Sequence, residues 1–388
     1  MAYDVSFLTL QTIAQHVGID VIGVTGVEPF DELFPLLKRF YEEGRASGFE
    51  HPDATVRIDP LSLLPNASSM ISIAVAYVHE DAYGTLYPKK GTGLVSKYAW
   101  GTDYHRIVTQ KLERLASYLE QHVHHDIAYK IAVDTSALVD RAVAERAGVG
   151  FIGKNCSLIT DEYGSWVFLG TLLVDIEIER TPQAQMDHMA SLSCQDCDLC
   201  LTACPTDALI APFVIDSTRC LSYITQSKGI IPEEFRAPLG RRVWGCDTCQ
   251  TVCPLSKTPS LTKEPSFLPE RELAFPDLFY ILSLTNRTFQ QKFGHTAVAW
   301  RGLAVWRRNA IIALGNIRDD RAVPLLIDLL RDARPEIRAS AAWALRQIDV
   351  KAGTMAVATA YYEEKDPQVR FEMHYALTFM ENRQETDR

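Results

Sequence analysis

The sequence has no run approaching the roughly 18 uninterrupted apolar residues that a membrane-spanning helix needs. Its start, MAYDVSFLTL, lacks a basic segment followed by an apolar one, so no secretory leader is expected and the chain reads as cytoplasmic. Without an address to an oxidising compartment, the nine cysteines are not expected to form a disulfide framework. Positive charge is also scarce: 39 Lys and Arg stand against 49 Asp and Glu, a formal charge of −10 that by itself speaks against nucleic acid as a partner. Two cofactor motifs fail as well. Gly148-x-Gly150-x-x-Gly153 follows a helix instead of a strand, the wrong context for a dinucleotide fingerprint. The corrinoid motif Asp-x-His-x-x-Gly is missing, because Asp103-Tyr104-His105 continues as Arg106-Ile107-Val108. What is present is an ordinary globular composition, 47% hydrophobic and 23% charged, in 388 residues. At roughly 150 residues per domain, that length holds two or three domains.

Residues 1 to 180 mix helix and strand. Val5 to Val17 has helical periodicity, and Val21 to Val24 and Met70 to Val78 are short apolar strands. The pattern predicts an amphipathic helix over His105 to Val123, with Leu112, Leu115 and Leu119 on one face. Ile127 to Val133 reads as a strand entering Asp134-Thr135-Ser136, followed by a helix over Ala137 to Ala147 that stops at Gly148. Trp166 to Ile178 is a further strand or strand pair. The whole is expected to be α+β, with an N-terminal α/β domain whose strand order the pattern does not give. Residues 181 to 262 are rich in cysteine and poor in periodicity, and residues 263 to 388 form a proline-marked linker and a helical array. That array repeats: Arg307, Arg338 and Arg370 are 31 and 32 residues apart, and Ala313-Leu314, Ala344-Leu345 and Ala376-Leu377 follow in register. Two helices per unit at this period are HEAT-like repeats.

Eight of the nine cysteines fall within sixty residues. The first run is Cys194-x2-Cys197-x2-Cys200-x3-Cys204-Pro205; the second is Cys220, then Cys246-x2-Cys249-x3-Cys253-Pro254. This spacing belongs to bacterial ferredoxins with two [4Fe–4S] clusters, in which the fourth cysteine of each run crosses to the other cluster. Crossing assigns Cys194, Cys197, Cys200 and Cys253 to one cluster and Cys204, Cys220, Cys246 and Cys249 to the other. Two structural zinc sites are the alternative, but zinc favours paired C-x2-C hooks and suits a triple run poorly. The departure from a ferredoxin is a 25-residue insertion between Cys220 and Cys246, expected to face the electron acceptor. Cys156, the ninth, reads as a small buried residue.

Two further features have both a structural and a functional reading. Asp134 is either a turn or cap residue or an acid at the carboxyl end of a strand, where α/β folds place ligands. Residues 287 to 346 hold eleven Lys or Arg against five Asp or Glu, a local +6 hidden by the acidic total. The stretch includes Arg287, Lys292, Arg301, Arg307, Arg308, Arg318, Arg321, Arg331, Arg334 and Arg338, interleaved with Trp300 and Trp306. That stretch is either a solvated face or a phosphate-contacting and base-stacking surface.

Taken together, several motifs resemble the epoxyqueuosine reductases. They are Arg57 with Leu63-Leu64-Pro65, Tyr98-x-x-Gly101-x-Asp103-Tyr104-His105, Val133-Asp134-Thr135 with Arg141-Ala142, and Glu145-Arg146-Ala147-Gly148-x-Gly150-Phe151. The eight-cysteine module, Cys246-Asp247-x-Cys249-Gln250 and the trailing repeats complete the likeness, which covers nearly the whole chain. It implies an enzyme that reduces the epoxide of a modified wobble guanine in tRNA, using base-off cobalamin and two [4Fe–4S] clusters. It is also similar to reductive dehalogenases, so a small-molecule dehalogenase is the rival enzyme and a plain electron carrier the rival of another class. The resemblance makes Asp134 the proton donor, with a pKa expected to be raised by burial. It places Arg57, Ser96, Leu158, Ser222 and Asp247 around the cobalamin together with Asp134. Clusters whose potentials reach about −700 mV suit the task of reducing it. With the basic stretch, the resemblance implies tRNA contacts from Gln226, Lys228, Arg287, Lys292, His295, Trp300, Arg301, Arg307 and Arg308. The expected partners are tRNA carrying epoxyqueuosine in its anticodon loop and an unidentified low-potential electron donor, met by a monomeric enzyme away from any membrane.

Overall fold

The computed structural model describes residues 3–79, 89 and 91–386, with side chains to residue 378. It divides into two compact units, each drawn from three segments of the chain. The first comprises Met1–Tyr83, Thr102–Thr218 and Asp247–Leu268; the second comprises Gly84–Gly101, Arg219–Cys246 and Pro269–Arg388.

The first unit is built on a four-stranded sheet of β1 (Val21–Thr25), β2 (Ser69–Ala76), β3 (Tyr129–Ala132) and β4 (Val167–Val174), in the order β1-β2-β4-β3. Every pairing is antiparallel, with Ile71 of β2 and Ile131 of β3 both opposite Leu172 of β4. The expected strands are all present, but the antiparallel order means that Asp134 does not sit in the ligand crevice of a parallel sheet. β2 is buried along its whole length, which is why it reads as one apolar run without alternation. Alternate side chains of β4 serve two helices. Phe168 and Gly170 face the helix Tyr104–Val123: a Cβ at Gly170 would come within 2.6 Å of Val108 Cγ1, so that helix lies directly on the strand. Leu169 and Leu173 pack on the other face, against Ala144 and Ala147 and against Ala142 and Val143. The helix expected from Ala137 instead starts at Asp140 and runs to Arg146. The residues before it bend away because Asp134 takes a left-handed backbone (φ 56°), a conformation that Asp tolerates better than most residues.

The second unit carries the repeat array: Leu303–Ile317, Val323–Leu329, Pro335–Ile348, Lys351–Glu363 and Pro367–Thr386. Ala313, Leu314, Ala344 and Leu345, the recurring pair of the sequence, are all fully buried, so the period is a packing period. The insertion between Cys220 and Cys246 is tied into this array by buried polar groups. Asn309 Nδ2 donates to the carbonyls of Thr225 (2.7 Å) and Val243 (2.9 Å), and Asn316 Nδ2 to those of Arg236 and Gly240, both at 2.8 Å. Arg236, 1% exposed, forms a two-pronged pair with Glu372 on the last helix. Among the described residues, no helix is long and apolar enough to cross a membrane.

Candidate active site

The motif Asp103-Tyr104-His105 opens the helix Tyr104–Val123, and each of its residues has a separate contact. Asp103 Oδ1 caps the helix by accepting from the His105 amide (3.1 Å) and also meets His105 Nδ1 at 2.8 Å. Tyr104 lies flat on Phe168, centroids 4.4 Å apart and 5° from parallel, and its hydroxyl donates to Asp134 Oδ2 at 2.5 Å. His105 Nε2 lies 3.7 Å from the same oxygen, close enough for an ion pair but too far for a hydrogen bond. It is buried without a hydrogen-bond partner among the described residues. Tertiary packing therefore brings residues 103–105 and 134, thirty positions apart, into one group.

Its electrostatics reverse the expectation for Asp134. The close approach of His105 holds the Asp134 carboxyl below the usual carboxylate range, and Tyr104 and Arg141 act in the same direction against the opposing effect of burial. With its side chain 65% exposed, Asp134 is a carboxylate at rest, not a buried acid. The proton is held next door. Burial would lower the pKa of His105, but Asp103 and Asp134 outweigh it and push it up to about 9. Asp140, at the start of the following helix, is pushed up to about 7 by burial and by Asp134, and accepts a hydrogen bond from the Asp134 amide. Arg57 braces the same loop, its Nε donating to the Ala137 carbonyl at 3.4 Å and its Nη1 to the Tyr41 hydroxyl at 3.1 Å. Arg141 donates to the carbonyl of Cys156. Leu158 is buried beside Val149 and Ala144. Sequence reasoning quoted Tyr104 and His105 only within a motif and gave Asp140 no role.

The cysteines expected for the first cluster converge. Cys194, Cys197, Cys200 and Cys253 line one cavity of about 230 Å³, with Lys154 and Asn155 in its wall. A single zinc ion draws its thiolates to within about 2.3 Å and leaves no such space, whereas an iron–sulfur cube fills it. Among the described residues, no three His, Cys, Asp or Glu side chains are grouped to hold one ion. The Lys154 amide donates to Cys194 Sγ at 3.4 Å, and its Nζ pins the loop through the carbonyls of Gln195 (2.6 Å) and Cys197 (2.9 Å). Asn155 Nδ2 is buried without an acceptor among the described residues, as a donor kept for cluster sulfide would be. Neither residue was singled out from the sequence. Of the other four, Cys204 Sγ accepts from the Ala208 amide at 3.3 Å. Cys249 and Asp247 belong to the first unit, and Cys220 and Cys246 to the second. Cys156 is 8% exposed, and burial pushes its thiol up, as expected of a packed residue.

Residues 57–135 match the family model described as epoxyqueuosine reductase QueG, DUF1730; residues 193–256 match the 4Fe-4S double cluster binding domain, and residues 304–378 match HEAT repeats. The epoxyqueuosine reductase of Bacillus subtilis is 41% identical over 95% of this chain and 94% of its own length. The chain belongs to the epoxyqueuosine reductase family. It is an oxidoreductase, and its cysteine module holds iron–sulfur clusters. The epoxyqueuosine reductase of Escherichia coli is 33% identical over 75% of this chain and 76% of its own. A crystal structure of an epoxyqueuosine reductase with an epoxyqueuosine-modified tRNA stem loop superposes with a TM-score of 0.90, 40% identity, and coverage of 96% and 98%. A structure of the B. subtilis epoxyqueuosine reductase, described as having its Asp134 catalytic loop swung out of the active site, matches with a TM-score of 0.89, 40% identity, and coverage of 95% and 97%.

In this epoxyqueuosine reductase family member, the second unit holds the remaining candidates. Ser96, 5% exposed, donates from its backbone amide to the Trp244 carbonyl at 2.8 Å. A Cβ on Gly245 (φ 68°) would lie 2.5 Å from Ser96 Cβ, so only glycine fits before Cys246. Ser222 reaches the same corner: the Thr225 hydroxyl donates to its carbonyl (2.9 Å) and accepts from the Gly245 amide (2.8 Å). Three of the expected RNA contacts meet. Trp300, 53% exposed, donates from its indole nitrogen to Gln226 Oε1 at 3.0 Å, and the Arg301 guanidinium lies 3.9 Å over its ring. Lys228 and Arg287 are exposed. Lys292 pairs with Glu272, so part of the basic stretch is already neutralised, and His295 Nε2 lies 3.2 Å from Glu270 Oε1. Arg321, Arg334 and Arg338 are likewise paired, with Asp319, Asp332 and Glu364.

Two expectations fail. Arg308 is fully buried and donates to the carbonyls of Ser227 (2.7 Å), Gly229 (2.8 Å) and Ile224 (3.2 Å), leaving it no path to a phosphate. Trp306 is fully buried against Phe289 and Phe293 and stacks on no base. Arg307, half-buried, caps the carbonyls of Leu282 (3.1 Å) and Leu284.

Proposed function

We propose that this enzyme reduces epoxyqueuosine to queuosine at the wobble position of tRNA, with electrons passing through two [4Fe–4S] clusters to base-off cobalamin and Asp134 delivering the proton. The carrying observation is the meeting of Asp134 with Tyr104 and His105 at a loop whose neighbouring polar atoms lack hydrogen-bond partners among the described residues. Turning the epoxide into an alkene takes two electrons and two protons and releases the oxygen as water. Cobalamin, when bound, supplies the strongly reducing cobalt that opens the epoxide.

The residues present fit that cofactor. Ser136 Oγ and Asp140 Oδ1 are buried without hydrogen-bond partners among the described residues, and the amide-fringed rim of a corrin offers partners of the kind they lack. Arg57 and Leu158 in the first unit, and Ser96 and Ser222 in the second, are the further holding groups, with Asp247 beside Cys246. Cys194, Cys197, Cys200 and Cys253 hold one cluster, and Cys204, Cys220, Cys246 and Cys249 the other. The Tyr104 hydroxyl orients Asp134, while His105 stands behind it as the proton reserve. The description of the B. subtilis structure supports a catalytic role for this loop. The tRNA-bound relative supports an RNA surface formed by Trp300, Arg301 and Gln226, with Lys228 and Arg287 contacting phosphates. A tRNA substrate fits a cytoplasmic enzyme.

The test is Asp134→Ala, with cluster and cofactor absorbance recorded and nucleosides from treated tRNA analysed by mass. The variant is expected to keep both chromophores and lose at least about a hundredfold in turnover. Turnover at the wild-type rate would remove Asp134 from the mechanism.

A further inference from the structure

Asp134 rests below the usual carboxylate range, yet each turnover of the reaction proposed above consumes protons. The donor therefore needs a resupply, and this inference rests on the reading of Asp134 given above. Behind it stands His105, whose Nε2 lies 3.7 Å from Asp134 Oδ2 and has no hydrogen-bond partner among the described residues.

His105 also lines an open cavity of about 350 Å³ in the first unit. The helix wall of this cavity carries His105, Thr109 and Glu113, which recur every four residues and so share one face of Tyr104–Val123. The other wall is β3, the edge of the sheet, contributing Lys130, and the loop after it, contributing Thr135. Glu113, Lys130 and Thr135 are exposed, so the cavity opens to solvent. At roughly 30 Å³ per water, it holds on the order of ten waters beside polar groups able to order them.

We propose that this cavity is the proton inlet of the enzyme, in which water ordered along Thr109 and Glu113 re-protonates His105 and His105 re-protonates Asp134. In the step, the imidazolium gives its Nε2 proton to the Asp134 carboxylate as Asp134 passes a proton on to the leaving oxygen, and the imidazole becomes neutral. An acid of the solvent then returns one proton to the imidazole through the cavity water, and no electrons move. The groups facing His105 fit this traffic. Asp103 on Nδ1 and Asp134 opposite Nε2 favour the charged ring, and Tyr104 stacks on it at 4.1 Å. Glu113 and Lys130 carry opposite charges along the cavity, Arg141 lowers the pKa of Asp134, and Asp134 in turn raises that of Asp140. The pKa of about 9 keeps the ring loaded at neutral pH.

The test replaces Thr109 by leucine, which fills the cavity beside His105, and by serine, which keeps the hydroxyl. The first readout is the exchange rate of the His105 Nε2 proton, followed by ¹⁵N-histidine NMR on the protein alone. Thr109→Leu is expected to slow it about tenfold and Thr109→Ser to leave it unchanged. The second readout is single-turnover reduction of modified tRNA, which should slow in Thr109→Leu and recover when imidazole is added as a diffusible acid. Should Thr109→Leu not fold, the isosteric Thr109→Val is carried through the same two measurements. Unchanged exchange in a folded cavity-blocked variant overturns the inlet. An inactive Asp134→Ala beside an unaffected Thr109→Leu overturns the inlet while leaving the donor intact. An active Asp134→Ala overturns the donor first and the inlet with it.

Discussion

Replacing Arg308 by methionine is the sharpest test of the structure against the reading that placed it on tRNA. The guanidinium is fully buried and bonds three carbonyls of the 221–245 insertion as well as Asn309 Oδ1. Burial lowers its pKa to about 10, and no carboxylate is among these partners. Methionine fills most of the volume but leaves the carbonyls of Ser227, Gly229 and Ile224 without a donor, at about 1–3 kcal/mol each. Relief from burying a charge offsets part of this, leaving a net loss of about 3–5 kcal/mol. For a unit of this size, about 2–4 °C per kcal/mol gives a fall in Tm of about 10 °C, read by circular dichroism or calorimetry. Arg308→Lys should lose nearly as much, because one ammonium cannot span the carbonyls that the planar fork reaches. The reasoning fails if Arg308→Met melts like wild type while tRNA affinity drops and its salt dependence shallows by about one charge.

Cys253→Ser should lower the iron content from about eight to about four atoms per chain, with a matching loss of sulfide, since Cys253 closes the cavity of the first run. An intact first-run cluster would refute the crossing. The raised pKa of His105 makes a stabilising contribution that is complete below its unfolded pKa of 6.5 and lost as pH rises to about 9. Wild type should therefore lose more thermal stability between pH 7 and 9 than His105→Gln does. Charge reversal at exposed Lys228 or Arg287 should weaken tRNA binding and reduce the slope of log K against log salt by about one each. An unchanged slope would take these residues off the RNA surface.

The elements legible in the sequence were those with strong local signals. The helix over Tyr104–Val123 shows its apolar stripe, β2 its unbroken apolar run, and the repeats their recurring Ala-Leu pairs, because each pattern is imposed by burial at a fixed period. Spacing also carried the cavity of Cys194, Cys197, Cys200 and Cys253, since short gaps leave thiolates little freedom in how they face one cluster. The losses came where contacts are distant in sequence. Arg307 and Arg308 are neighbours of the same type, yet one is half-buried and the other sealed, and no composition argument separates them. The depressed pKa of Asp134 needed His105 and Tyr104, thirty residues upstream. Lys154 and Asn155 had no pattern to announce them, because their role comes from a loop folding over cysteines forty residues later.

The insertion between Cys220 and Cys246 is fastened to the first repeat helix by Arg308, Asn309 and Asn316 and to the last by Arg236 and Glu372. Inheritance is constrained accordingly. A lineage that discarded the repeats would leave Arg236 buried opposite nothing and the Thr225 and Val243 carbonyls bare, beside cysteines it still needed. One that acquired the repeats without the insertion would expose the buried Asn309 and Arg308 to no purpose. The two pieces are separate in the chain but behave as a single heritable character, to be gained, lost or transplanted together.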